Sequence, residues 1–488
     1  MSHPPAGSRP HVSMHPDRRW LALIVLCLGV LMIVLDTTIV NVALPSIKVD
    51  LKFGDTELAW VVNAYLLTYG GFLLLGGRLG DLYGHRRLFL IGIAAFTLAS
   101  LACGLSTTQF ALVAARAIQG LGGAVVTAVA LSLIMDLFTD PQDRAKAMGV
   151  YGFVCAGGGS IGAMLGGVLT SSLSWHWVFL VNLPIGIGVI IASLRLLPAA
   201  AGTATSRHLD VWGAVTVTSA LMLAVYAIVN GNEVGWSSLR TLGQLAIAIA
   251  LLMTFVWLEA RVRVPLMPLR LFRLRNLLIS NMVGVLWAAA MFAWFFLSAL
   301  YMQLVLGYGP MEVGLAFMPA NLIMAMFSLG LSAKLVMRFG IRRPLAFGLA
   351  FAACGLLLFS HASEHGSFVR DILPSMILLG VGAGVAFNPV LLAAMSDVGP
   401  SESGLASGVV NTAFMMGGSL GLAALASLAS WRTQALMTAG GGQAFALTGG
   451  YQWAFLVGAC FAALGAVLGG VFLRTARAPE AEPAVSAH

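Results

Sequence analysis

Apolar residues come in long runs along this chain, and the polar residues fall between them. Fourteen runs are read: Trp20–Leu44, Leu58–Leu75, Leu88–Leu105, Phe110–Leu133, Ala147–Leu169, Trp177–Leu197, Val211–Val229, Leu242–Leu258, Leu277–Leu300, Val313–Val336, Leu345–Phe359, Ile372–Met395, Leu405–Ala429 and Trp453–Leu473. A helix needs about 20 apolar residues to cross a bilayer, and these runs have or approach that length. The expected class is an all-α polytopic membrane protein with fourteen transmembrane helices.

Composition agrees. Of 488 residues, 59% are hydrophobic and 9% charged, with a mean hydropathy of +0.92. No soluble core of this size hides so much apolar surface. The first run follows Arg18 and Arg19 and, at about 25 residues, is too long for the apolar region of a signal peptide. The net charge of +8 raises nucleic acid as a partner. The charges sit in short loops between runs, which argues against it. An even number of crossings puts both termini on one side. With that side cytoplasmic, 21 of the 27 Lys and Arg lie inside, while Lys48, Lys52, Arg240, Arg370 and Arg432 lie outside. Basic residues favour the cytoplasmic side, so both ends of the chain are expected in the cytoplasm. Arg116 remains, within the fourth run. The five cysteines lie inside apolar runs without metal-type spacing, and the nine histidines sit in tails, loops or helix ends. No metal or cofactor is expected.

The chain repeats itself. GRLGDLYGHRR at residues 77–87 aligns with AKLVMRFGIRR at residues 333–343, so that Gly84 meets Gly340 and Arg86–Arg87 meets Arg342–Arg343. GGSIG at 158–162 is echoed by GGSLG at 417–421. Runs one to six thus correspond to runs nine to fourteen, with two central runs left over. The expected organisation is a tail (1–19), a six-helix half (20–197), a two-helix insertion with linkers (198–275), a second six-helix half (276–474) and a tail (475–488). Halves related by repetition suit a rocking transporter with a site between them.

Asp36 is the acid set deepest in an apolar run. A carboxylate at the bilayer midplane costs roughly 2.5–3.5 kcal/mol on insertion scales. A residue kept there at such a cost is expected to bind or carry something. Arg116 is the basic residue deep enough to face it. At about 1.5 Å per residue the two lie at similar depth, close enough for contact or for one bridging water. Gln119 follows one turn later on the same face. The plainer alternatives are a structural carboxylate and an arginine snorkelling toward a helix end.

Several motifs carry a resemblance. They are LDTTIVNVALP at 35–45, residues 77–87, RAIQGLGG at 116–123 and WHWVFLVNLPIG at 175–186. The second half adds PLMPLRLF at 265–272 and GLASGVVN at 404–411. In this order they resemble the major facilitator superfamily, and more narrowly its fourteen-helix drug:proton antiporters, over roughly residues 18–475. The resemblance implies a proton-coupled exporter of hydrophobic or cationic small molecules such as drugs, antiseptics, dyes or antibiotics. It would be driven by the proton gradient and function as a monomer. Asp36 and Arg116 would couple protons. Gly77, Asp81, Gly84, Arg86 and Arg87 would form a conformational latch present in the first half only, because Met337 stands where Asp81 would recur. Gly158, Gly162 and Gly166 form a stripe for close helix packing. The antiporter pattern places proline after the middle glycine; here Ala163 stands instead.

Candidates for a substrate cavity are Asn41, Trp60, Asn63, Tyr65 and Gln119 in the first half. In the second they are Trp294, Tyr301, Gln303, Asn321, Asn388 and Asn411. Each aromatic among them serves equally well in ordinary packing. A proton-coupled uptake carrier, or an exporter of one metabolite, fits the same fold. A membrane enzyme would need clustered His, Cys, Asp or Glu, which the runs lack. A receptor would need a soluble domain larger than these loops.

Overall fold

A computed structural model describes residues 16–54, 56–138, 140–198, 210–262, 265, 267–327, 331–398 and 403–474; for some of these, including Asp81 and much of 141–160, it describes the backbone alone. Among them the long helices are α1 (Pro16–Leu51), α2 (Trp60–Tyr83), α3 (His85–Gly104), α4 (Gln109–Leu137), α5 (Pro141–Ser172), α6 (Asn182–Leu196), α7 (Val211–Val234), α8 (Leu239–Arg261), α9 (Arg275–Leu300), α10 (Pro310–Met326), α11 (Arg342–Phe359), α12 (Leu373–Met395), α13 (Ser403–Thr438) and α14 (Gln443–Phe472). A short turn, Trp177–Leu180, precedes α6, and a two-turn helix, Ser332–Phe339, follows α10. The run read as one helix over Val313–Val336 is thus described in two pieces.

Twelve helices among the described residues are long and apolar enough to cross a membrane. Two apolar stretches, Ile161–Ser172 in α5 and Pro310–Met326, fall short of that length. The chain is therefore an all-helical, multi-pass membrane protein. α1 is 36 residues long, about 54 Å at 1.5 Å per residue, so its polar ends project beyond the hydrocarbon.

The repeat in the sequence is a repeat in packing. α1 packs on α5 as α9 packs on α13, α3 on α4 as α11 on α12, and α3 on α6 as α11 on α14. Small residues make these contacts close. Gly421 abuts Ala289 of α9, where no Cβ would fit. The glycine before each arginine pair has positive φ, +91° at Gly84 and +74° at Gly340. Side chains strain in that region, and each glycine separates two helices. Arg86 then donates from its terminal nitrogen to Leu194 O, 2.7 Å away near the end of α6. Arg342 donates through Nε to Gly470 O, 3.1 Å away near the end of α14. Both arginines thus satisfy carbonyls at a helix C-terminus, where positive charge is favourable. Arg87 is exposed, and the Asp81 side chain lies outside the described residues.

The first six and last six helices meet along two seams. In one, α2 faces α13, and Ser419 Oγ donates to Asn63 Oδ1 at 3.0 Å. In the other, α5 faces α10: a Cβ on Gly314 would lie 2.8 Å from Ala163 O, and one on Gly167 2.8 Å from Pro310 O. α7 covers the first seam, packing on both α2 and α13 with α8 behind it. Asn232 Nδ2 ties α7 to α13 through Ser427 O at 2.7 Å and Ser427 Oγ at 3.0 Å.

Candidate functional site

Glycine spacing brings the charged residues together. Gly158, Gly162 and Gly166 lie on the face of α5 that meets α1 at Leu31, Val34, Leu35, Thr38 and Ile39, on either side of Asp36. On α4, Gly120 lies against Tyr65 and Thr68 of α2, and Gly122 against Gly92 and Phe96 of α3. α4 therefore sinks between α2 and α3 and carries Arg116 and Gln119 inward. Adding side chains here should be costly. A Cβ on Gly162 would press on Thr38 and sit 2.9 Å from Leu35 O, a backbone atom. Gly162→Leu should destabilise the protein by about 1–3 kcal/mol, the usual cost of overpacking, and abolish transport. Gly188 has nothing within 4 Å of its Cβ position, so Gly188→Leu should be tolerated. Thermal melts of both purified variants, with transport assays, check this; equal melting temperatures would refute the packing account.

Asp36 and Arg116 touch. Their side chains are 0% and 1% exposed, and Arg116 Nη1 donates to Asp36 Oδ2 at 2.5 Å. The same nitrogen donates to Gln119 Oε1 at 2.5 Å, and Nε donates to Val61 O at 2.9 Å. The guanidinium carbon lies 4.3 Å from the centre of the Tyr65 ring, a cation–π contact. Gln119 Nε2 donates to Asp36 Oδ1 at 2.8 Å and to Ser100 Oγ at 2.8 Å. Asn182 Nδ2, from the start of α6, donates to Asp36 Oδ1 at 3.2 Å and to Ser100 Oγ at 3.4 Å. The Cys103 thiol faces Gln119 Oε1 at 3.7 Å. Five helices of the first six thus converge on one carboxylate. Such a pair is an ion pair held out of water, where losing either partner strands a charge.

Sequence reasoning groups Asp36, Arg116 and Gln119; the structure adds the cavity candidate Tyr65 to them, with Ser100, Cys103 and Asn182, which sequence reasoning did not single out. The other cavity candidates make different contacts. Asn41 bonds back to Thr37 O on its own helix at 3.1 Å. Trp60 faces Tyr226 of α7, ring centres 6.5 Å apart. Asn63 lies in the α2–α13 seam. Tyr301 donates to Ser363 O at 2.7 Å, fixing a loop. Gln303 donates to Val42 O at 2.9 Å, tying the end of α9 to α1. Trp294 and Asn321 are buried, with the Trp294 ring nitrogen and both amide atoms of Asn321 unbonded. Asn388 is half-buried. Asn411 lines a small apolar pocket with Trp287, Phe387 and Phe414. Among the described residues, no three His, Cys, Asp or Glu cluster as a metal site would require.

The Major Facilitator Superfamily model matches residues 26–422. The chain belongs to that superfamily. It is therefore a transporter and not an enzyme. It is 37% identical over 464 residues to puromycin resistance protein pur8 of Streptomyces alboniger, covering 94% of this chain and 91% of that one. Cephamycin export protein CmcT of Amycolatopsis lactamdurans is 39% identical over 407 residues, 83% of this chain and 84% of that one. Among solved structures, a bacterial homologue of the human lysosomal transporter Spinster, in an inward-facing and unoccupied conformation, matches with a TM-score of 0.67. It is 16% identical, and the match covers 97% of this chain and 100% of that one. That likeness concerns the fold.

Proposed function

We propose that this superfamily member is a proton-coupled antiporter that exports hydrophobic or cationic small molecules, antibiotics among them, from the cytoplasm. The buried Asp36–Arg116 pair carries this reading. It is a carboxylate and a guanidinium, 0% and 1% exposed, sealed among five helices, unlike a surface salt bridge. Relatives named for puromycin resistance and cephamycin export support the substrate class. Ionised Asp36 holds Arg116; a proton on Asp36 releases it. Binding substrate and proton at one centre, in turn, couples their opposite movements. Two six-helix halves, 20–197 and 276–474, rock about this centre. The 198–275 insertion rides on the α2–α13 seam. The monomer suffices, and the proton gradient is the only other requirement.

α5 and α10 complete fourteen crossings. α5 runs 32 residues in all, and the Ser332–Phe339 helix follows α10. Both termini then face the cytoplasm of the inner membrane. Reporters fused after Arg477 and near Arg207 should register cytoplasmic, and one at residues 439–442, in the loop between α13 and α14, external. A cytoplasmic signal from that loop would end the fourteen-crossing topology. Direction separates export from the rival uptake reading. A sensitive strain expressing the chain should survive puromycin, ethidium or tetraphenylphosphonium better, and accumulate less of it, than a strain without it. Greater accumulation would favour uptake.

A further inference from the structure

Among the described residues, every group bonded to the Asp36 carboxylate is a donor: Arg116 on Oδ2, Gln119 and Asn182 on Oδ1. That arrangement suits the carboxylate form. A protonated carboxyl carries its own O–H and needs an acceptor. A primary amide supplies one when it turns by half a rotation, exchanging its NH2 for its oxygen. Two amides are in place, and they differ. Gln119 Oε1 already accepts from Arg116 Nη1 at 2.5 Å. Turning Gln119 would set its NH2 against the guanidinium, donor facing donor. Asn182 has no bond to Arg116. Its Nδ2 reaches only Asp36 Oδ1 and Ser100 Oγ. The Ser100 hydroxyl gives its one hydrogen to Phe96 O at 2.8 Å and so accepts from Asn182 at 3.4 Å. Turning Asn182 gives up that long contact alone and opposes no charge, whereas turning Gln119 sets a donor against a cation.

We propose that Asn182 is the positioning residue for proton exchange: its amide donates to ionised Asp36 and turns to accept from protonated Asp36. Asn182 opens α6, just after the Trp177–Leu180 turn, so the charge state of α1 is registered on a second helix. The inference rests on the antiport reading of Asp36. It singles out Asn182 over Gln119, whose place beside Arg116 is fixed in both states.

Asn182→Leu keeps the volume and removes the amide. Asn182→Ser keeps a group that both donates and accepts. The test uses the full-length protein in proteoliposomes and the fastest-moving probe among puromycin, ethidium and tetraphenylphosphonium. Two modes are compared: transport driven by a pH gradient, and substrate-for-substrate exchange, which needs no proton to come or go. Asn182→Leu should lower gradient-driven transport about tenfold or more while exchange stays within about twofold, the energetic scale of one hydrogen bond to a charged group. Asn182→Ser should recover a large part of the gradient-driven rate. Equal losses in both modes would make Asn182 merely structural, and no loss in either would make it irrelevant. If the leucine variant fails to reach the membrane, the serine variant decides alone. It should show a smaller loss confined to the driven mode; any other result overturns the proposal. Asp36→Asn runs in parallel. Gradient-driven transport by that variant would remove the antiport reading itself, whereas an inactive Asp36→Asn beside a normal Asn182→Leu would remove only the role of Asn182.

Discussion

Asp36→Asn abolishes gradient-driven efflux: accumulation ratios in proteoliposomes fall to unity with the pH gradient in place. An amide cannot take up a proton, and the deep segments offer no second carboxylate. The substitution has a second effect that must be separated from the first. It leaves Arg116 buried opposite a neutral group, and breaking a buried pair in this way costs about 3–5 kcal/mol. Lower yield and a lower melting temperature are therefore expected as well. Arg116 keeps Val61 O, Gln119 Oε1 and the Tyr65 ring, which tempers the loss. Asp36→Asn combined with Arg116→Gln removes the stranded charge. The double variant should regain much of the stability and none of the transport. Asp36→Glu keeps the carboxylate, displaced by about one methylene, and should retain partial activity. Normal efflux by Asp36→Asn, measured on protein shown to be in the membrane, would contradict the role given to Asp36.

Membrane potential alone should separate substrates by their charge. One coupling carboxylate implies one proton per cycle. Export of a monovalent cation against one proton moves no net charge, so a potential imposed without a pH gradient should leave such substrates almost unmoved. Export of a neutral substrate moves one charge inward. Each 100 mV then contributes about 2.3 kcal/mol, roughly fifty-fold in accumulation ratio. Divalent cations would move against the potential and should be poor substrates. Strong potential-driven movement of a monovalent cation would mean that at least two protons are exchanged, and that a second titrating group exists besides Asp36.

The sequence made the charged centre legible because charge is rare in the spans. Asp36 and Arg116 stand alone in their runs at matching depth, and Gln119 follows from helical spacing. Ser100 and Asn182 were not legible as members. Neutral polar residues are scattered through many spans, and nothing local says which of them share a level of the bundle. Asn182 lay within the 175–186 stretch, but only the packing of α6 on α1 and α3 brings it to Asp36 and Ser100. The same limit applies to the individual contacts of the cavity candidates. Tyr301, Gln303 and Asn41 have the chemistry of a lining residue, yet each is taken up by a backbone carbonyl. The arginine pairs were visible as a repeat. Their bonds to helix ends were not, since the partners lie 108 and 128 residues away in the chain. The helices themselves were easy to place, because apolar runs of this length have few other uses.

The most direct test of Asp36 as the proton carrier is proton release on substrate binding. Purified protein is mixed with substrate in weakly buffered solution containing a pH indicator, across a range of pH. If substrate and proton compete at this centre, binding should release protons, at most about one per protein. Asp36→Asn in the Arg116→Gln background should bind substrate more weakly and, at saturating substrate, release none. Undiminished release from that variant would place the coupling proton elsewhere and contradict the account.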